Sequence, residues 1–250
     1  MERSHFASTN SSLGWIGMAA SPFCSFYASY LQQKAPETTV SHMVEQINIL
    51  RKLKKMGTTV SYPRPIDISE YEMSILAFSD AARPGDHGQI GVLIGLLVGP
   101  LKKESIFHAI SWISHKSKRP VKSIPAAEII AAGEAIYEAK SIQSAYRQLL
   151  GINLPVQLCV DSKDLFSSLS TQRQSIDRSI RGDVACIRFE FQVHNINYIT
   201  WIPGSINLAD PLTKTDSPLT DALVLTLFTG RLAIDFESTA ETKSSDKFYG

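Results

Sequence analysis

Apolar residues change their period along the chain, and the change divides it. Between Gly14 and Leu53 the pattern is helical, broken by Pro22 and Pro36, and it follows a polar stretch over residues 1–12 that is expected to be ragged. Its clearest part lies near the end, where Met43, Val44, Ile47, Leu50 and Leu53 recur at helical spacing and sketch one apolar face, with Glu45, Gln46 and Asn48 outside it. Lys52, Lys54 and Lys55 then lead to a stop beside Gly57. Pro63 and Pro65, followed by a polar run to Glu72, deny the chain both helix continuation and ladder hydrogen bonds and read as a linker.

Beyond the linker short apolar runs take over. Ile75 to Ser79, Ile90 to Val98 and Ala109 to Ile113 predict three successive strands joined by hairpin-like turns. A long helix is expected from Pro125 to Leu150, stopped by Gly151, and then a short buried strand from Val156 to Val160. Leu165 to Leu169 and Asp183 to Val193 read as helices, Tyr198 to Ile202 as a strand, and a final helix is expected from about Pro211. Strands and helices in this order imply an α/β fold, a mixed sheet of about five strands flanked by helices, with a mainly helical N-terminal extension. The divisions are a helical segment and linker over 1–70, a folded domain over 71–235, and a tail over 236–250. Ser, Thr, Glu and Lys dominate that tail, which is expected to be disordered.

Composition narrows the picture only a little. With 250 residues, 44% hydrophobic and 20% charged, the chain can bury one medium core or two small ones. A formal charge of +1 gives no sign of a strongly basic nucleic-acid binder. Cys24, Cys159 and Cys186 are far apart and fall in no zinc-binding spacing, so a reduced protein, cytoplasmic or nuclear and not secreted, is expected. Apolar stretches such as Gly91 to Val98 are well short of the roughly 20 residues a membrane helix needs, so no membrane partner is expected.

Candidate chemistry lies in four acidic residues. Asp80 ends the first predicted strand and Asp161 the fourth, at strand tips where α/β sheets gather ligand sites, although an Asp after a strand can equally just open a turn. From Glu128, steps of four and three residues reach Ala132, Ala135, Ala139, Ile142, Tyr146 and Leu149. A carboxylate at the head of that apolar stripe is costly to bury unless it is paired or bound to a cation, while the plainer account is a first-turn Glu favouring the helix N-terminus. Glu134 and Glu138 fall off the stripe and read as solvated charges. Asp210 follows the last strand, where with Pro211 behind it an N-cap is the simple account and Asn207 a competing cap. If the four converge, they suit Mg²⁺ and two-ion phosphodiester hydrolysis, with ions about 4 Å apart.

The segments Phe78-Ser79-Asp80-Ala81, Ile110-Ser111-Trp112, Ala127-Glu128, Val160-Asp161-Ser162 and Asn207-Leu208-Ala209-Asp210-Pro211-Leu212-Thr213-Lys214 together resemble the RNase H domain of copia-type LTR retrotransposon Pol polyproteins. The last segment is the most specific. The resemblance covers about residues 72 to 225, and the part before it looks like the tail of a reverse transcriptase region without a polymerase Asp-Asp motif. It implies an RNase H-like fold and Asp80, Glu128, Asp161 and Asp210 as the metal-binding catalytic set, with two Mg²⁺ ions or Mn²⁺ in their place. The implied substrate is the RNA strand of an RNA:DNA hybrid, read through backbone shape and the 2′-hydroxyl. The rest of a Pol polyprotein is a further expected partner. The chain departs from the family at Arg181 and Gly182, where a His often precedes the Asp, and over Ile124 to Glu128, where Ser-Thr-Glu-Ala-Glu is usual. Lys116, Lys118, Arg119 and Lys122 are candidate phosphate contacts, with a solvated loop as the alternative. Trp112 and Trp201 are expected in the core and not as base-stacking platforms. The competing reading is a catalytically inactive relic or domesticated fragment that binds nucleic acid or protein.

Overall fold

The computed structural model describes residues 2–56, 59–64, 72–83, 87–171, 178–236 and 239–247. Three helices come first: α1 (Glu2–Ala19), α2 (Pro22–Gln32) and α3 (Val40–Met56). Strands β1 (Met73–Ala82), β2 (His87–Val98) and β3 (Ile106–Pro120) follow, then α4 (Ile124–Leu150), β4 (Val156–Val160), α5 (Lys163–Ser170), α6 (Arg181–Gln192), β5 (Tyr198–Trp201), α7 (Thr220–Thr229) and β6 (Glu241–Ser244). The six strands form one mixed sheet in the order β3-β2-β1-β4-β5-β6. β1 and β4 run parallel, as do β4 and β5, while the remaining pairs are antiparallel. This is the fold class expected from the sequence, with one strand more.

Side chains alternate across a strand, so each strand serves two layers. Ile75, Ala77, Ile90, Val92 and Ile94 face α4, α5 and α6, meeting Ala131, Ala135, Phe166 and Phe191. Alanines along α4 let the helix lie close to the sheet. Leu76, Phe78, Leu93, Leu97 and Phe107 face the other way, onto Phe23, Phe26 and Leu31 of α2, Leu53 of α3 and Leu223 of α7. The N-terminal extension therefore shares a core with the sheet. Among the described residues no helix is long and apolar enough to cross a membrane.

Several expectations change. Of the polar residues 1–12, all from Glu2 on lie within α1, which buries Phe6 and Leu13. In α3 the inward face is Gln46, Ile49 and Leu53, while Val44, Ile47 and Leu50 are exposed. Gln46 is drawn inward because its side-chain amide donates to the Phe6 carbonyl at 3.1 Å. On α4 the expected stripe is buried through Ala139, yet Leu149 is 81% exposed near the helix end.

The helix expected from Pro211 starts at Thr220 instead. Pro218 supplies no N–H and disfavours helix at Ser217, so residues 210–212 form a separate 3₁₀ turn. The tail expected to be disordered contributes β6, whose Glu241–Ser244 pair with Trp201–Tyr198. Gly57 and the part of the linker at 65–71 lie outside the described residues.

Candidate active site

Register brings two carboxylates together. The parallel pairing of β1 with β4 aligns Ile75 with Val156 and Phe78 with Cys159; two residues further on, Asp80 and Asp161 stand side by side. Glu128, in the second turn of α4, joins them at that end of the sheet. Ser123 sets the start of the helix, its hydroxyl accepting from the Ala126 N–H at 3.3 Å. One oxygen from each of Asp80, Glu128 and Asp161 lies within 4.8 Å of the others. Asp80 and Glu128 are buried and Asp161 partly so.

Three acids this close repel one another, and burial adds to the cost of charging them. Burial and the neighbouring Asp80 and Asp161 carboxylates push the Glu128 carboxyl up to about 9. Asp80 is raised by burial and then by Asp161, and Asp161 by burial, opposed chiefly by a hydrogen bond from Asn207. An all-oxygen, anionic nest of this size fits a hard divalent cation such as Mg²⁺, which would offset the repulsion.

Asp210 approaches on the segment after β5. It is buried, and its carboxylate is ion-paired with Lys214 one turn on; it is not among the three acids whose oxygens cluster. It is also not an N-cap, since it is the first residue of the 3₁₀ turn and Ala209 is the cap. Asn207 is not the N-cap of that turn either. Its amide donates to the Ser79 carbonyl at 2.9 Å and its oxygen accepts from the Ala209 N–H at 3.1 Å, which ties this segment to β1 beside Asp80.

The segment can lie so close because Gly91 stands opposite Asp80 on β2. A Cβ there would come within 2.7 Å of Thr213 Cγ2 and 3.0 Å of the Ala209 carbonyl oxygen. Thr213 donates its hydroxyl to Asp80. The indole N–H of Trp201 donates to the Asp161 carbonyl at 2.9 Å, so this part-buried tryptophan holds the acid's backbone. Trp112, also part-buried, donates to the Gly17 carbonyl of α1 at 2.6 Å. Asn207, Thr213, Trp201 and Lys214 were not singled out from sequence as site residues, although all but Trp201 lie in the segment that carries the strongest resemblance.

α2 and α3 brace the same segment. Tyr27 donates to the Thr215 carbonyl at 3.0 Å and accepts from Lys52 at 3.0 Å. The buried amide of Gln89 donates to Ser29 at 3.2 Å and to Ser114 at 3.0 Å, and Ser114 donates to the Leu212 carbonyl at 2.7 Å.

The basic run lies elsewhere. Lys116, Lys118 and Arg119 are exposed on the last part of β3, which is longer than expected, and Lys122 is exposed just before α4. Lys116, Lys118 and Arg119 border a groove shared with Tyr137 and Asp183, and none of the four candidate acids lines it. Arg119 is already paired with Asp183 at 3.0 Å. Glu134, expected to be solvated, accepts from His115 at 2.7 Å and helps hold that ring's charge, raising its proton affinity.

No protein-family model matches the chain, and no curated protein does. Solved structures do match. The chain is similar to LC11-RNase H1, isolated from compost by a metagenomic approach, at 20% identity and a TM-score of 0.40 over 56% of this chain and 91% of that one. The N-terminal RNase H domain of rv2228c from Mycobacterium tuberculosis matches at 14% identity and 0.41, over 60% of this chain and 94% of that one. RNase H1 of Halobacterium salinarum NRC-1 matches at 19% identity and 0.37, over 56% and 93%. All three are RNases H. At these scores the likeness carries no functional argument, which rests on the carboxylates.

Proposed function

We propose that this chain is a divalent-cation-dependent endonuclease that hydrolyses the RNA strand of RNA:DNA hybrids, from the Pol polyprotein of a retrotransposon, with α1–α3 the tail of a reverse transcriptase region. One observation carries the activity: Asp80, Glu128 and Asp161, 81 residues apart end to end, meet within 4.8 Å at one end of the sheet. Buried acids forced together lower stability unless something cationic uses them. Asp80, Glu128 and Asp161 would hold Mg²⁺ or Mn²⁺, and Asp210 would complete the place for a second ion. When bound, the cation supplies Lewis-acid stabilisation of charge at the phosphate and makes water a better nucleophile.

The chain's own residues orient and hold. Thr213 keeps Asp80 in place, Asn207 ties the Asp210 segment to β1, and Trp201 anchors the Asp161 backbone. Lys116, Lys118 and Lys122 offer exposed charge to the phosphate backbone, which confers affinity without sequence preference. Water adds to phosphorus and gives up a proton, the bond from phosphorus to the leaving oxygen breaks, and that oxygen takes up a proton.

The test is cleavage of labelled RNA:DNA hybrid by the purified chain, with Mg²⁺ and then with chelator. Cation-dependent RNA fragments are expected, absent in Asp80→Asn and Asp161→Asn variants that retain the fold. A variant that cuts as fast as the parent refutes the assignment.

A further inference from the structure

Four acids converge on this end of the sheet, and one already has a cation. Lys214 is ion-paired with Asp210 four residues before it, while the other three carboxylates meet uncharged donors: the Thr213 hydroxyl at Asp80, the Ala81 N–H at Glu128 and the Asn207 amide at Asp161. The pocket thus divides into a triad built for an added ion and a fourth carboxylate neutralised from within.

Lys214 follows Thr213, whose hydroxyl binds Asp80, so the ammonium and the triad are held by neighbouring residues of one segment. A positive charge seated on the carboxylate outside the triad occupies the anion that any cation binding at Asp210 would need. Unlike a metal ion it is tethered, on a flexible four-carbon stem whose side chain is half exposed, so it can leave the carboxylate when another anion draws it.

We propose that Lys214 is a built-in counter-ion that limits the free protein to one divalent cation, held by Asp80, Glu128 and Asp161. A second ion enters at Asp210 only when Lys214 is drawn away, and the phosphate of a bound strand is the anion that draws it. This rests on the cation-dependent nuclease reading above.

Titration calorimetry with Mn²⁺ on chelator-stripped protein tests it without turnover. The parent and Lys214→Arg bind one ion per chain, and Lys214→Ala binds two. The chelated Lys214→Ala protein also melts below the parent, because Asp210 is left buried and unpaired, and saturating Mn²⁺ closes that gap. Two ions in the parent, or one in Lys214→Ala, overturns the proposal and leaves the nuclease reading standing. No ion in the parent defeats both.

Discussion

Replacing Glu128 by Gln should strengthen the metal-free protein while destroying its chemistry. The carboxyl sits at about 9 in the fold against an ordinary 4.5, so above pH 4.5 the unfolded chain sheds a proton that the folded one keeps. Stability contributed by this group is therefore complete at low pH and drains away as pH rises toward 9. At about 1.4 kcal/mol per pH unit the loss reaches about 3 kcal/mol at pH 7 and stays below about 1 kcal/mol at pH 5. Glutamine keeps the shape and does not titrate. Allowing for burial of its own amide, a gain of about 1 to 3 kcal/mol is expected at pH 7, a rise of about 3 to 10 °C in melting temperature for a chain of this size. The assay is urea and thermal unfolding in chelator at pH 5 and 7, repeated with saturating Mg²⁺. The advantage should shrink at pH 5 and reverse with the cation, which at a hundredfold excess over its dissociation constant stabilises the parent by about 2.7 kcal/mol. A variant no more stable than the parent at pH 7 in chelator, or one with the same advantage at both pH values, would refute the reasoning.

Gly91→Ala places a methyl group against Thr213 and the Ala209 carbonyl; it should cost about 1–3 kcal/mol in urea unfolding and remove most hybrid cleavage, and unchanged cleavage would deny the close approach. Tyr27→Phe, which leaves the Thr215 carbonyl without its phenol donor, should cost about 0.5–1.5 kcal/mol in the same unfolding assay and slow cleavage although Tyr27 lies outside the acid cluster. His115 should titrate above its ordinary 6.5 by NMR because Glu134 favours its charged form; any stability from the pair is complete below 6.5 and fades as pH rises through the raised value. In Glu134→Gln that midpoint should fall, with less than about 1 kcal/mol lost because the pair is partly solvated.

Most of the frame was legible because each element announces itself locally. The apolar runs ending in Asp80 and Asp161, and the alanine-rich stripe headed by Glu128, need no distant partner to be recognised. What escaped depended on distant partners. The face of α3 was misjudged because hydropathy cannot register that Gln46 finds the Phe6 carbonyl and turns Ile49 inward, leaving Val44 and Ile47 outside. β6 was missed because Glu241–Ser244 is polar, as an edge strand can be when its backbone alone does the pairing. The capping role that the local rule offers Asp210 does not form, because Ala209 precedes the turn as its cap and the Asp210 carboxylate pairs with Lys214. Glu134 looked solvated because its partner, His115, is on a strand and not on its own helix.

Helices pack on both faces of the sheet. Cutting the chain at the proline-rich stretch before β1, where the sequence invites a boundary, would remove the apolar residues of α2 and α3 that share a core with Phe78, Leu93 and Phe107. Such a trimmed product would tend to clump, and would lose the strut that reaches Thr215. Anyone dissecting this molecule should keep the first 56 residues attached, because α2 and α3 share the core of the sheet.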